Sequence, residues 1–118
     1  MALRDIWADY ESAWAQTDPN KRSDALRRTL DGTFVYVDPN IRTEGHEQLS
    51  QYIGELQKNI PGMRVITRSF AEHHGSCLVN WTLEDGQDNA VAAGVTCGEC
   101  GANGLLLKAS VFYGSPAS

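Results

Sequence analysis

A chain of 118 residues is long enough for one domain and too short for two of ordinary size, so a single domain over residues 1–114 is expected. With 42% apolar and 21% charged residues the composition is that of a soluble globular protein, leaving residues 115–118 as an expected flexible tail. A net charge of −5 with no basic stripe argues against a nucleic-acid partner, because that binding depends on Lys and Arg neutralising phosphates.

Leu3, Ile6, Trp7, Tyr10 and Trp14 recur at intervals of three and four, with Arg4, Asp5, Asp9 and Glu11 assigned to the opposite side. This predicts an amphipathic helix over residues 3–16 with an aromatic face. Asp18 is a suitable cap and Pro19 a suitable first residue for a second helix reaching about Leu30. Lys21, Arg22, Arg27 and Arg28 are expected on its solvated surface.

Residues 33–38 are rich in β-branched and aromatic side chains and predict a strand that Pro39 and Asn40 end, with Asp38 at its terminus. Thr43 is expected to cap a third helix, whose Leu49, Tyr52, Ile53 and Leu56 form one apolar stripe before residues 59–62 stop it. Strands are then predicted over 63–73, 76–84, 88–97 and 105–113, joined by turns that make consecutive hairpins. Helices followed by an antiparallel meander predict an α+β layer, a curved sheet wrapped around the helices.

The N-terminal residues lack an apolar run of signal-peptide length, and the chain lacks an apolar stretch of bilayer-spanning length, so a cytoplasmic protein with no membrane partner is expected. Three cysteines, an odd number, fit a reducing compartment better than a disulfide scaffold. Cys97 and Cys100 have CxxC spacing, yet four zinc ligands are not at hand and a redox pair needs a helix start, so no metal or redox role is assigned; Cys77 is expected in the core.

The order of elements resembles the nuclear transport factor 2-like superfamily, and within it the SnoaL-like and ketosteroid isomerase-like members. The residues carrying the resemblance are Val35-Tyr36-Val37-Asp38-Pro39, Gly45 followed by Leu49 and Tyr52-Ile53, Asn103-Gly104-Leu105, and Val111-Phe112-Tyr113-Gly114. It implies a cone-shaped fold, three N-terminal helices on a strongly curved, mostly antiparallel six-stranded sheet around a deep apolar pocket, with a homodimer through the outer sheet face. The superfamily holds isomerases, cyclases, hydrolases, dehydratases and non-catalytic carriers, so fold alone names no reaction.

In ketosteroid isomerase-like members an Asp before Pro at this strand end abstracts a proton next to a carbonyl, which makes Asp38 the candidate base. A carboxylate among apolar bulk suits that task. Without the resemblance, Asp-Pro-Asn is an ordinary turn. Tyr10 matches a helical Tyr that donates to the developing oxyanion, and otherwise continues the apolar stripe. Where those isomerases hold a protonated acid, this chain has Thr96, which argues against steroid isomerisation itself.

Trp14, Tyr36, Tyr52, Trp81, Thr96 and His73 are the expected ligand-binding residues, His73 because only one of the neighbours His73 and His74 on a strand can point inward. Two functions follow. One is a cofactor-independent isomerase, cyclase or lyase acting on a small hydrophobic carbonyl compound. The other is a non-catalytic module that binds a small ligand or assembles as a dimer.

Overall fold

The computed structural model describes residues 2–114, so the tail expected at 115–118 lies outside the described residues. Helix α1 (Leu3–Ser12) buries Ile6, Trp7 and Tyr10. It stops before the predicted residue 16 because residues 13–15 tighten into bonds to the carbonyl three positions back, Trp14 N–H to Glu11 among them. Trp14 nevertheless stays on the aromatic face.

Helix α2 (Pro19–Thr29) starts as the sequence dictates: the Asp18 carboxylate accepts the N–H groups of Asn20 and Lys21 at 2.9 and 3.3 Å, and Pro19 has no N–H to satisfy. One predicted feature is corrected here. Arg22 is buried, not solvated, donating to Ser50 Oγ, the Gln16 carbonyl and Gln57 Oε1, each at 3.0 Å. It shares the buried face of α2 with Leu26 and Thr29, at helical spacings of four and seven. Its hydrogen bonds offset the cost of removing the guanidinium from water.

Strand β1 (Leu30–Asp38) begins three residues before the predicted start, because the chain turns extended directly at Leu30. Pro39 and Asn40 fold it back onto β2 (Ile41–Glu44), pairing Asp38 with Ile41 and Tyr36 with Thr43. Thr43 is thus a buried strand residue and not a helix cap; its hydroxyl has no partner among the described residues. Helix α3 (Gly45–Asn59) opens instead at Gly45, whose φ of +79° turns the chain sharply out of β2 at no Cβ cost, and the Gln48 side chain accepts the Glu44 N–H at 2.9 Å.

The remaining strands are β3 (Arg64–His73), β4 (Ser76–Glu84), β5 (Ala90–Cys100) and β6 (Leu106–Tyr113). The β3–β4 turn is His74-Gly75, both with positive φ, as a type I′ turn demands. The six-stranded sheet has the order β2-β1-β6-β5-β4-β3, antiparallel throughout except where β6 runs parallel to β1. That pairing sets Tyr113 against the Asp38 end of β1.

Strand β5 runs to Cys100, beyond the predicted end at 97, and contains two glycines that are dictated by close approach. A Cβ on Gly94 would lie 2.5 Å from the Trp81 ring, and one on Gly98 2.8 Å from the ring of Trp7. The two indoles therefore approach β5 closely enough to leave no room for a side chain there. Between helices and sheet lies a core of Leu26, Leu30, Phe34, Leu49, Ile53, Val79 and Leu106, all essentially without exposed surface.

Candidate functional site

A cavity of about 70 Å³ opens between α1 and the concave side of the sheet. Six aromatic rings border it: Trp7 and Tyr10 of α1, Trp14 just beyond, Tyr36 of β1, Trp81 of β4 and Tyr113 of β6. Leu56, Met63, Val65, Leu83 and Val111 complete an apolar wall. The rings meet edge-on or tilted, Trp7 to Tyr10 at 5.0 Å, Trp14 to Tyr36 at 5.4 Å and Trp81 to Tyr113 at 6.2 Å, arrangements favourable to aromatic quadrupoles. An apolar cavity of about 150 Å³ admits benzene. The smaller space here takes only a compact group unless Tyr113, 47% exposed at its rim, moves outward.

Asp38 does not line this cavity; it sits behind Tyr36 and Tyr113, which do. Its Oδ1 accepts the backbone N–H groups of Asn40 at 2.7 Å and Ile41 at 3.1 Å, closing the Asp-Pro-Asn turn. Its Oδ2 accepts the hydroxyls of Tyr36 at 2.7 Å, Tyr52 at 2.6 Å and Tyr113 at 3.4 Å. Five donors face a group with about four lone-pair sites, so the carboxylate, 6% exposed, is saturated. Burial, reinforced by the Asp38 charge, pushes all three phenols above the usual tyrosine value, so they act as donors and not as bases.

Tyr10 is placed in the cavity wall as the sequence suggested. Burial pushes its hydroxyl up as well, partly opposed by a hydrogen bond from Trp14. Thr96 and Trp81 also line the cavity, with the Trp81 indole N–H donating to Thr96 Oγ1 at 2.8 Å. The threonine oxygen is thereby occupied as an acceptor while its own proton stays free to donate.

The residue that sequence reasoning missed is Glu11. The structure places it in the cavity wall, half-buried, with Thr67 Oγ1 of β3 donating to its Oε2 at 2.6 Å. Burial pushes its carboxyl above the ordinary glutamate value, opposed in part by the Thr67 bond. Beside it, the buried Trp7 Nε1 has no partner at full hydrogen-bond distance among the described residues, though it lies close enough to Glu11 to favour its charged form. A signal was present: Glu11 lies four residues after Trp7 and three before Trp14, on the aromatic face and not opposite it.

Tyr52 reaches Asp38 from α3 but is not part of the cavity wall. His73 is corrected: it lies exposed at the β3–β4 turn beside the equally exposed His74, far along the strand from Thr67 and Val65, which face the cavity region. Cys77 is buried and its thiol pushed up to about 11 by burial, whereas Cys97 is exposed on β5. Among the described residues no group of three or more His, Cys, Asp or Glu is placed to hold a metal ion, and no helix is long and apolar enough to cross a membrane.

No family model matches the chain, and no curated protein matches it. Solved structures do. A provisionally named isomerase of the SnoaL-like family from Agrobacterium tumefaciens is similar with a TM-score of 0.87 at 22% identity, over 93% of this chain and 95% of that one. A provisionally named SnoaL-like polyketide cyclase from Jannaschia gives 0.77 at 18% identity, over 94% and 84%. A nuclear transport factor 2-like protein of unknown function from Cytophaga hutchinsonii gives 0.74 at 12% identity, over 97% and 91%. The chain has the fold these proteins share: three helices on a curved, open, six-stranded sheet.

Proposed function

We propose that this chain, on the SnoaL-like fold, is a cofactor-independent isomerase, cyclase or lyase that removes a proton next to the carbonyl of a small hydrophobic compound. The observation that carries the reading is the convergence of Tyr10, Thr96 and Glu11 on an otherwise apolar aromatic cavity, with Asp38 directly behind the wall residues Tyr36 and Tyr113. An apolar pocket with few convergent polar groups and displaced proton affinities is the usual makeup of a site that does chemistry. A pocket that only holds an apolar ligand needs no such groups.

In this reading Tyr10 donates a hydrogen bond to the carbonyl oxygen as negative charge builds on it. A donor set in advance in a dry site lowers the barrier by about 3 kcal/mol. Asp38 is the proton acceptor, and one of its donors must leave before it can act. Tyr113 is that donor, because its 3.4 Å bond is the weakest of the five and it alone stands at the cavity rim. A ligand entering past Tyr113 displaces the hydroxyl and meets Oδ2.

The cavity size narrows the substrate. A fused-ring steroid exceeds about 70 Å³ several times over, so the compound is a short ketone or one that inserts only its carbonyl end. The reading is tested by proton exchange from acetone in D2O, followed by proton NMR. Wild-type protein is expected to speed exchange and Asp38→Asn to lose at least 100-fold of that acceleration, whereas equal rates for the two proteins would refute Asp38 as the base.

A further inference from the structure

Among the residues lining the cavity there is a single carboxyl, and it belongs to Glu11. Thr67, on the strand facing α1, fixes one of its oxygens at 2.6 Å. The described residues give Oε1 no comparable bond, so one oxygen is tied to the scaffold and the other is left to a ligand. The second observation is Trp7 Nε1, an indole N–H on the same wall, 4% exposed as a residue, with no partner at full hydrogen-bond distance among the described residues, yet close enough to Glu11 to favour its charged form. A buried donor short of an acceptor is destabilising, and a ligand oxygen placed between Trp7 and Glu11 supplies the acceptor.

We propose that Glu11 is a catalytic residue of this cavity, donating its proton to the substrate oxygen that receives the electron pair when the neighbouring carbon is deprotonated. The inference rests on the carbonyl chemistry proposed above. The C–H bond breaks, its proton passes to Asp38, and its electron pair forms the C=C bond. The carbonyl π pair moves to oxygen, which takes the Glu11 proton. An enol, a protonated Asp38 and a Glu11 carboxylate result. Returning the Asp38 proton to carbon and the enol O–H proton to Glu11 restores both residues, so no co-reactant is consumed.

The surroundings keep that proton available. Burial favours the uncharged carboxyl more than the Thr67 and Trp7 donors favour the charged one, and among the described residues no cation stands against it to hold it ionised. Its ionisable neighbours in the cavity are the phenols Tyr10, Tyr36 and Tyr113. On α2, Arg28 is engaged by Asp9 on the outer surface, and on β3, Arg68 by Glu84 and Arg64 by Glu84 and Asp88.

The acetone exchange assay separates this role from the proposed function. Glu11→Gln keeps an oxygen for Thr67 and still offers N–H donors, but has no proton to transfer; circular dichroism serves as the check that it folds. The expected result is at least a ten-fold slower exchange than wild type, together with loss of the fall in rate that wild type shows as rising pH removes the Glu11 proton. Glu11→Asp is expected to recover part of the rate. Wild-type rate and an unchanged pH profile in Glu11→Gln, with Asp38→Asn inactive, overturn the role of Glu11 alone. Absence of exchange by wild-type protein overturns both.

Discussion

Asp38 and Glu11 border the same aromatic cluster, yet their surroundings could hardly differ more. Asp38 accepts two backbone N–H groups and three tyrosine hydroxyls, and lies outside the cavity wall. Glu11 has one close side-chain donor among the described residues, Thr67, and lies in the wall among apolar rings. A saturated carboxylate is an anchor: it fixes the β1–β2 turn, α3 through Tyr52 and β6 through Tyr113. A carboxyl with one bond and little water is a group whose proton is loosely assigned. The contrast separates two ways of holding a reactive carboxyl: Asp38 is held as scaffold and becomes a base only once Tyr113 leaves it, whereas Glu11 has an oxygen free from the outset.

The largest effect expected from breaking this contrast is at the anchored end. Asp38→Ala strands three hydroxyls and two N–H groups, and about 3 kcal/mol of stability should be lost, read as a lower urea midpoint. Tyr36→Phe leaves the carboxylate and removes a single donor, which should cost about half as much. Equal stability of Asp38→Ala and wild type would mean that the network does not hold the fold together.

The smallest effect belongs to Glu11. Its proton affinity is raised in the folded state, so the stability it contributes is fully present below the ordinary glutamate value and is lost as pH rises through the raised one. Glu11→Gln has no such group. The variant should therefore gain on wild type between pH 4 and neutrality, a modest change because the residue is only half-buried. A constant difference across that range would contradict the burial effect.

Much of this architecture is legible in the sequence. The helical aromatic stripe of α1, the Asp18-Pro19 start of α2 and the hairpins from β3 to β6 follow from residue type and spacing alone. What escaped has one physical cause in two places. Glu11 and Arg22 sit at helical spacings from buried neighbours, but each is charged, and charged residues are assigned to solvent unless a partner is known. Their partners, Thr67 at a separation of 56 and Ser50 at 28 residues, arise only from the tertiary fold. Strand β2 escaped for another reason: its four residues are too few for an alternation to register, and Thr43 imitates a helix cap. His73 misled because strand alternation says which side a residue takes and not that the strand end has already left the cavity.

The most direct test is an NMR titration of the Glu11 side-chain carboxyl in carbon-13-labelled protein, assigned by comparison with Glu11→Gln. The expected result is proton loss above the ordinary glutamate value of about 4.3, with a shift of the same resonance when acetone is added. Titration at or below that value, with no response to acetone, would contradict a protonated Glu11 facing the ligand.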